Sequence, residues 1–490
     1  MFPDRATFLR LARKGNLIPV YQEVLADLET PVSAYLSVAG SPSFLLESVE
    51  GGEKWGRYSI LSASISRIIR ARGERVEVIE DGKTVLSGKF DDPLKALSDE
   101  LERYRPVEDM PDLPPFYGGL VGYMGYEMVR FFERVPDRDK PGLDLPDMFF
   151  MVPEVVIVFD NLKHMMKVIV PVFIEGDPVM AYDRADELIR ETVKRLREPV
   201  RKAKEPPALD KEARFESSFG SRSDFESAVK RAKEYVHAGD VVQVVLSQRF
   251  DRELRVSPLD IYRALRVINP SPYMYYIDTG EAQLIGSSPE ILVRLEGRNI
   301  SLRPIAGTRR RGRNDEEDRA LERELREDPK EIAEHIMLVD LGRNDVGRVA
   351  EIGSVRVTEL MSIERYSHVM HLVSNVVGKL RKGSDAFDLL RACFPAGTVT
   401  GAPKVRAMEI IDELEPVKRG PYAGAVGYFS YSGNMDTCIT IRTIISKGTE
   451  LHLQAGAGIV ADSVPELEYK ETVNKAMGMM KAVDMAERGL

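Results

Sequence analysis

Residues 148–173 constrain the fold more than any other stretch. MFFMVPEVVIVF at 148–159 is followed by the polar turn DNLKH and then by MMKVIVPVFI. Two β-rich apolar runs around a polar turn predict an antiparallel hairpin. Pro153 and Glu154 interrupt the first run, and no stretch approaches the roughly 20 apolar residues that a membrane span requires. The N-terminal segment MFPDRATFLRLARKGNLIPV is broken by charges too often to hold a signal-peptide core. With only two cysteines, Cys393 and Cys438, neither a disulfide framework nor a four-thiolate zinc site can be built, and a cytoplasmic location is expected.

The chain has 490 residues, 43% hydrophobic and 30% charged, with 18 Phe and 18 Tyr, which excludes disorder as a whole. Its 69 Lys+Arg against 78 Asp+Glu give a net charge of −9, which argues against nucleic acid as a partner. Helical periodicity over 175–198 (Ala181, Ala185, Leu188, Ile189, Val193, Leu196) is followed by EPVRKAKEPPALDKEARFESSFGSRSD, a polar segment with three prolines that reads as a linker or surface loop. Before it the pattern is strand-rich. After it, helices such as 223–237 alternate with strands at 241–250, 283–286, 291–296, 369–377, 424–430 and 437–446. The expected fold is α+β, a layered sandwich of antiparallel-rich sheets flanked by helices. Its parts are an N-terminal subdomain 1–200, a linker 201–221 and a C-terminal subdomain 222–490.

Two helices carry the same acidic spacing. DPKEIAEHIMLVDLGRNDVG begins with Asp328, a good N-cap, and Pro329, a good first helical residue, which predicts a helix through 330–340. On it Glu331, Glu334 and His335 can share a face, and Ile332, Ile336 and Val339 form an apolar stripe. Near the C-terminus, Ser463 and Glu466 fit a capping box, with Pro465 in the first turn of a helix running towards 487. That helix presents Glu468 and Glu471, with Lys475 one turn later. Either pair alone reads most simply as a solvated helix face. Facing one another, the carboxylates repel unless protonated or bridged, and the natural bridge for an all-oxygen site is Mg²⁺.

Three segments place glycine where the backbone could approach a ligand. FPAGTVTGAPKVRAMEIIDELE turns at Gly397 and Gly401, with Thr400 as a plausible helix cap and Pro403 in the first turn. LRPIAGTRRRG sets Gly307 and Thr308 before the run RRRGR at 309–313, which reads as a solvated loop. QAGAGIVADS places Gly456 and Gly458 after a strand. Exposed successive N–H groups make anion-binding nests, although each segment taken singly reads more simply as a tight turn. Arg442 falls in the apparent strand TCITIRTII, where a guanidinium needs a structural carboxylate or a substrate carboxylate. His371 lies in HVMHLVSNVVG, either as a satisfied core residue or as a proton shuttle.

Taken together, GSSPE at 286–290, PIAGTRRRG at 304–312, KEIAEHIMLVDLGRNDVGRV at 330–349, HVMHLVS at 368–374, FPAGTVTGAPKVRAMEIIDELE at 394–415, YAGAVGY at 422–428 and QAGAGIVADSVPELEYKETVNKA at 454–476 cover nearly all of the second half. They resemble the large, chorismate-binding subunits of anthranilate synthases, within the chorismate-utilising enzyme family. LLES at 45–48, GRYS at 56–59 and NPSPYMYY at 269–276 extend the resemblance. It implies Mg²⁺-dependent conversion of chorismate and ammonia to anthranilate and pyruvate in tryptophan biosynthesis. By the same resemblance Glu334 and Glu471 are metal ligands and Glu331 and Glu468 an outer pair. Gly307, Thr308, Tyr422, Arg442, Gly456, Ala457 and Gly458 are substrate contacts. Glu290 is the acid that assists hydroxyl departure, with His371, Thr398 and Lys475 as further catalytic candidates. Ser48, Pro272, Tyr273 and Met274, with Glu47 and Tyr428, form a feedback site for L-tryptophan.

Ala306 stands where relatives that attack with water, or that aminate at C4, tend to carry lysine. Water needs a base to become a nucleophile, whereas ammonia already has a free lone pair. Alanine therefore favours ammonia over the alternatives, 4-amino-4-deoxychorismate synthase and the isochorismate or salicylate formers. Neither cysteine lies in a glycine-flanked nucleophile turn, so a separate glutamine amidotransferase subunit is expected to supply ammonia, in a heterodimer or heterotetramer. A non-enzymatic tryptophan-sensing homologue is the reading from another class, and it would predict loss of the metal ligands, all of which are present.

Overall fold

The computed structural model describes residues 1–48, 56–108, 110–199, 214–365 and 369–490. Most of the segment expected as a linker, and His368 of the HVMHLVS motif, lie outside them. The predicted hairpin forms from Met148–Asp160 and Met165–Phe173. Its first strand is buried almost throughout because it is central, with Tyr58–Arg72 on one side and both Met165–Phe173 and Gly119–Met124 on the other.

From these first-half strands the antiparallel ladder runs in two directions. One limb passes from Tyr58–Arg72 through Ser43–Glu47, Tyr273–Asp278, Ala282–Ser288, Thr443–Lys447 and Glu450–Ile459 to Gln243–Glu253. The other passes from Met148–Asp160 through Gly119–Met124, Ala425–Ser430, Met435–Ile439, Ile291–Glu296 and Asn299–Leu302 to Val369–Lys379. Strands from both ends of the chain thus share one hydrogen-bonded ladder.

Period-2 alternation separates the faces of each limb. Tyr275, Ile277, Leu284 and Ile445 of the first limb meet Val121, Tyr123, Val426 and Cys438 of the second in a core between them. Met274, Tyr276, Ile285 and Leu453 point outward beneath the helices Pro258–Ile268 and Pro465–Arg488. Leu120, Phe429 and Met435 point outward beneath Pro329–Gly347 and Ala386–Cys393. The result is an α+β sandwich in the order helix, sheet, sheet, helix. Each fully buried large apolar side chain contributes roughly 1.5–3 kcal/mol.

Two local expectations are corrected. The strand expected over 437–446 is two strands, Met435–Ile439 and Thr443–Lys447, broken at 440–442. The helix expected over 330–340 runs to Gly347. Its buried side is His335, Leu338, Val339, Gly342, Asp345 and Val346, while Ile336 is exposed. Among the described residues no helix is long and apolar enough to cross a membrane.

Candidate active site

The limbs part at two adjacent crossings. Ala282–Ser288 pairs with Thr443–Lys447 in one limb, and Ile291–Glu296 pairs with Met435–Ile439 in the other. The chain therefore changes limb at Pro289–Glu290 and again at Thr440–Arg442. Ser288 Oγ donates to the Ile439 carbonyl at 2.7 Å, Ile439 N–H to the Glu290 carbonyl at 3.0 Å and Ser287 N–H to the Arg442 carbonyl at 3.1 Å, which ties the crossings together. Arg442 is thus not a mid-strand residue. It sits in a bend at φ 51°, a conformation that costs a non-glycine residue about 1–2 kcal/mol. Among the described residues no carboxylate pairs with its guanidinium.

The predicted acidic helices converge here. Glu334 is half-buried, and that desolvation raises its pKa, with the charges of Glu331 and Glu471 raising it further. Glu468, also buried, is raised in the same way, with Glu471 again the facing acid. Lys475 balances them: its ammonium lies 2.8 Å from Glu471 and donates to the Gly456 carbonyl at 3.0 Å. Glu471 and Lys475 are 45% and 43% exposed, so this side of the site opens to solvent. Glu331 accepts from Arg309 at 3.0 Å, and Arg309 also meets Asp328 and Glu324.

The strand Glu450–Ile459 supplies a glycine edge. Its partner Thr443–Lys447 reaches only to Leu453, so from Gln454 onward one edge has no strand neighbour. Gly456 and Gly458 lie within this strand, paired with Ser247 and Val245, rather than in the loop after it that was expected. A Cβ on Gly456 would stand 2.8 Å from the Tyr422 hydroxyl, and one on Gly458 would stand 2.3 Å from Gln243 Nε2. Ala457 packs its methyl into the core beneath Arg222–Ala238, which leaves only its backbone to face the site.

On the other wall, His371 Nδ1 lies 3.1 Å from the Gly307 carbonyl and 3.0 Å from Thr308 Oγ1. A carbonyl can only accept, so Nδ1 carries the proton and Nε2 the lone pair. Burial, and the nearby positive charge of Arg442, hold His371 below the ordinary imidazole value. Gly307 has φ 66°, and a Cβ there would lie 3.1 Å from Glu331 Oε2. Burial pushes the Glu290 carboxyl up to about 8, partly offset by Thr398 and Lys475. Thr398 Oγ1 itself is buried without a hydrogen bond of ordinary geometry. Every predicted catalytic and metal residue therefore lies in one linked neighbourhood.

Other expectations change. His335 does not share the acidic face: it is fully buried, its Nε2 lies 2.6 Å from Ser374 Oγ, and burial lowers its pKa to about 4. No capping box forms at Ser463. Val464 takes the cap position, and the Ser463 hydroxyl accepts from Val460 N–H. Thr400 likewise donates to the Ala396 carbonyl, and the helix Lys404–Leu414 starts after Pro403 without a side-chain cap. The RRRGR run is a solvated loop only in part: Arg309 and Arg310 end the strand Ile305–Arg310, the chain is irregular over 311–313 with Arg310 and Arg313 exposed, and Arg310 and Arg311 pair with Glu317 and Asp318 of the following helix. Gln243 was missed altogether. Its side chain donates to Glu334 Oε1 at 3.0 Å, and its one sequence signal is a polar residue inside the apolar run VVQVVL.

No three carboxylate, imidazole or thiolate groups form a ready metal cage among the described residues. Mg²⁺ needs no such cage, since it keeps several waters and takes one or two carboxylates directly. An all-oxygen donor set of mutually repelling carboxylates fits that ion.

A second cavity, of about 310 Å³, lies between the limbs away from these residues. Glu47, Ser48, Pro272, Tyr273, Met274 and Tyr428 all line it. They meet because Met274 pairs with Glu47 across the ladder. Ser48 Oγ is buried without a partner. Glu47 is already matched, by the Tyr262 hydroxyl at 2.5 Å and Arg266 at 3.1 Å.

Comparison with known proteins agrees with this layout. The family described as chorismate binding enzyme matches residues 43–481. Anthranilate synthase component 1 of Aquifex aeolicus is 52% identical over 482 residues, covering 98% of this chain and 97% of that protein. The Pseudomonas putida protein of the same name is 53% identical over 498 residues, covering 99% of each. The crystal structure of anthranilate synthase component I from Streptococcus pneumoniae superposes with a TM-score of 0.77 at 38% identity, over 93% of this chain and 98% of that one.

Proposed function

The chain belongs to the chorismate-binding enzyme family, and on that premise we propose that it converts chorismate and ammonia to anthranilate and pyruvate in the cytoplasm. The observation that carries this reading is the approach of Glu334 and Glu471, from helices far apart in the chain, in a site whose Arg442, near His371, is matched by no carboxylate among the described residues. Glu334 and Glu471 would hold Mg²⁺, with Glu331 and Glu468 as the outer pair. When bound, the ion supplies positive charge for the ring carboxylate of chorismate and for charge that develops as the leaving group departs.

The chain's own residues do the rest. Arg442 offers a two-pronged contact to a substrate carboxylate. The backbone of Gly307, Thr308, Gly456, Ala457 and Gly458 admits the substrate closely where side chains would not fit, and the Tyr422 hydroxyl faces the same edge. Glu290, with a pKa near 8, is protonated at neutral pH and can deliver its proton to the departing C4 hydroxyl. Neutral His371, with the lone pair on Nε2, can take a proton released at the ring. Ala306 leaves no lysine to activate water, which favours ammonia attack at C2.

Ammonia comes from a glutamine amidotransferase subunit. Cys393 and Cys438 are both buried, and burial pushes both thiols up, so neither is suited to glutamine hydrolysis. L-Tryptophan occupies the 310 Å³ cavity and inhibits from there, favouring a domain arrangement that binds chorismate less well. The test is product analysis of the pure chain with chorismate, Mg²⁺ and either ammonium salt or glutamine. Anthranilate with ammonium alone supports the reading, and glutamine-dependent turnover by the pure chain refutes it.

A further inference from the structure

Arg419 and Glu415 lie four residues apart in the segment that leaves the helix Lys404–Leu414 behind the site, each 2% exposed, and take no part in the chemistry above. Arg419 Nε and Nη2 donate to the two oxygens of Glu415 at 2.9 and 2.7 Å. Its remaining reach goes to backbone: Nη1 to the Val399 carbonyl at 2.7 Å and Nη2 to the Val245 carbonyl at 2.9 Å. Glu415 in turn accepts from both the N–H and the hydroxyl of Ser247, each at 2.8 Å.

Each segment held this way carries part of the site. Val399 follows Thr398. Val245 and Ser247 are the ladder partners of Gly458 and Gly456. The Arg419 guanidinium lies 5.5 Å from the centre of the Tyr422 ring. Its own N–H and that of Gly420 donate to the buried carboxylate of Glu127 at 3.0 and 2.9 Å, which joins the cluster to the first half of the chain.

A buried ion pair is a weak stability device, because desolvation offsets its attraction and apolar replacements often fold as well. What this pair supplies is direction, through a planar fork that lysine cannot reproduce. We propose that Arg419, held by Glu415, is a positioning residue for the chorismate cradle, fixing Thr398, the Gly456–Gly458 edge and Tyr422 relative to one another. This rests on the reading of the site as a chorismate site.

The test uses the full chain with ammonium salt. Arg419→Lys keeps the charge and loses the fork; Glu415→Asp keeps the carboxylate and withdraws it by one methylene, and carries the test should Arg419→Lys fail to fold. In a folded variant the KM for chorismate is expected to rise roughly tenfold or more, since small misplacements of this kind cost up to about 100-fold. The KM for ammonium should stay within about twofold of wild type. A chorismate KM unchanged in a folded variant overturns the proposal. So does a loss confined to apparent kcat, with both KM values unchanged and in step with the thermal midpoint, as bulk destabilisation predicts. Wild-type protein that makes no anthranilate is read before any variant, and it overturns the underlying function and the proposal with it.

Discussion

Gln243 donates its side-chain N–H to Glu334 across 3.0 Å. A residue at the start of one strand therefore sets the direction of a helix carboxylate and lowers a pKa that burial and two neighbouring glutamates raise. Gln243→Ala removes the larger of two lowering contributions, the charge of Lys475 being the other, and leaves the raising ones. If Glu334 holds Mg²⁺ as proposed, the ion takes the ionised carboxylate, and the half-saturating Mg²⁺ concentration should rise by roughly 10- to 100-fold, the usual effect of losing a group that orients a metal ligand. A Mg²⁺ titration of ammonia-dependent anthranilate fluorescence checks this, and an unshifted curve contradicts it.

The pH profile follows from Glu290 and His371. Glu290 must be protonated to act as an acid; that form dominates below about 8 and is lost as pH rises through that value. His371 must be neutral, and burial with Arg442 nearby lowers its pKa, so the neutral form persists below the ordinary imidazole range. kcat should therefore be flat through neutrality and fall on an alkaline limb near 8. Glu290→Gln should lower kcat by roughly 10²- to 10⁴-fold and abolish that limb. A limb that survives the substitution assigns the proton to another group.

Arg442 links strain to binding. Its φ of 51° and the desolvation of its partly exposed guanidinium without a protein carboxylate both weigh against the folded state. Arg442→Gly relieves both, so the thermal midpoint should hold or rise while turnover with chorismate is lost. Arg442→Lys should fold normally and lose about 30-fold or more in kcat/KM, the usual cost of spoiling a desolvated charge pair. A drop in thermal midpoint with near-normal turnover would make the arginine structural.

Ser48 tests the second cavity. Its hydroxyl is buried without a protein partner and lines the space expected to hold tryptophan. Ser48→Ala should raise the tryptophan concentration needed for half inhibition by roughly three- to tenfold, the worth of one hydrogen bond, with the uninhibited rate nearly intact. An unchanged inhibition curve removes Ser48 from the site.

Features written in local periodicity were legible before the fold was known. Glu331 and Glu334, Glu468 and Glu471, the hairpin at 148–173 and the helix at 223–237 all follow from spacing within one element. Features that depend on partners distant in sequence were not. Counting parity along TCITIRTII cannot detect that the chain changes limb at Arg442. RRRGR is partly solvated as read, but its ion pairs appear only when the helix Asp315–Glu327 folds back to meet Arg310 and Arg311. Ser463 carries a good capping signal, but Val464 holds the cap position and the serine hydroxyl bonds to Val460. Gln243 acquires meaning only when a helix 91 residues later brings Glu334 to it.

The most direct measurement is the fluorescence of the product formed by the pure chain from chorismate and ammonium salt, with and without Mg²⁺, in wild type and in Glu334→Gln and Glu471→Gln. Anthranilate in wild type, its loss on chelation, and its loss in both folded variants are the expected result. Anthranilate formed without divalent metal, or at wild-type rate by either variant, would contradict the account of two glutamate helices meeting at one ion.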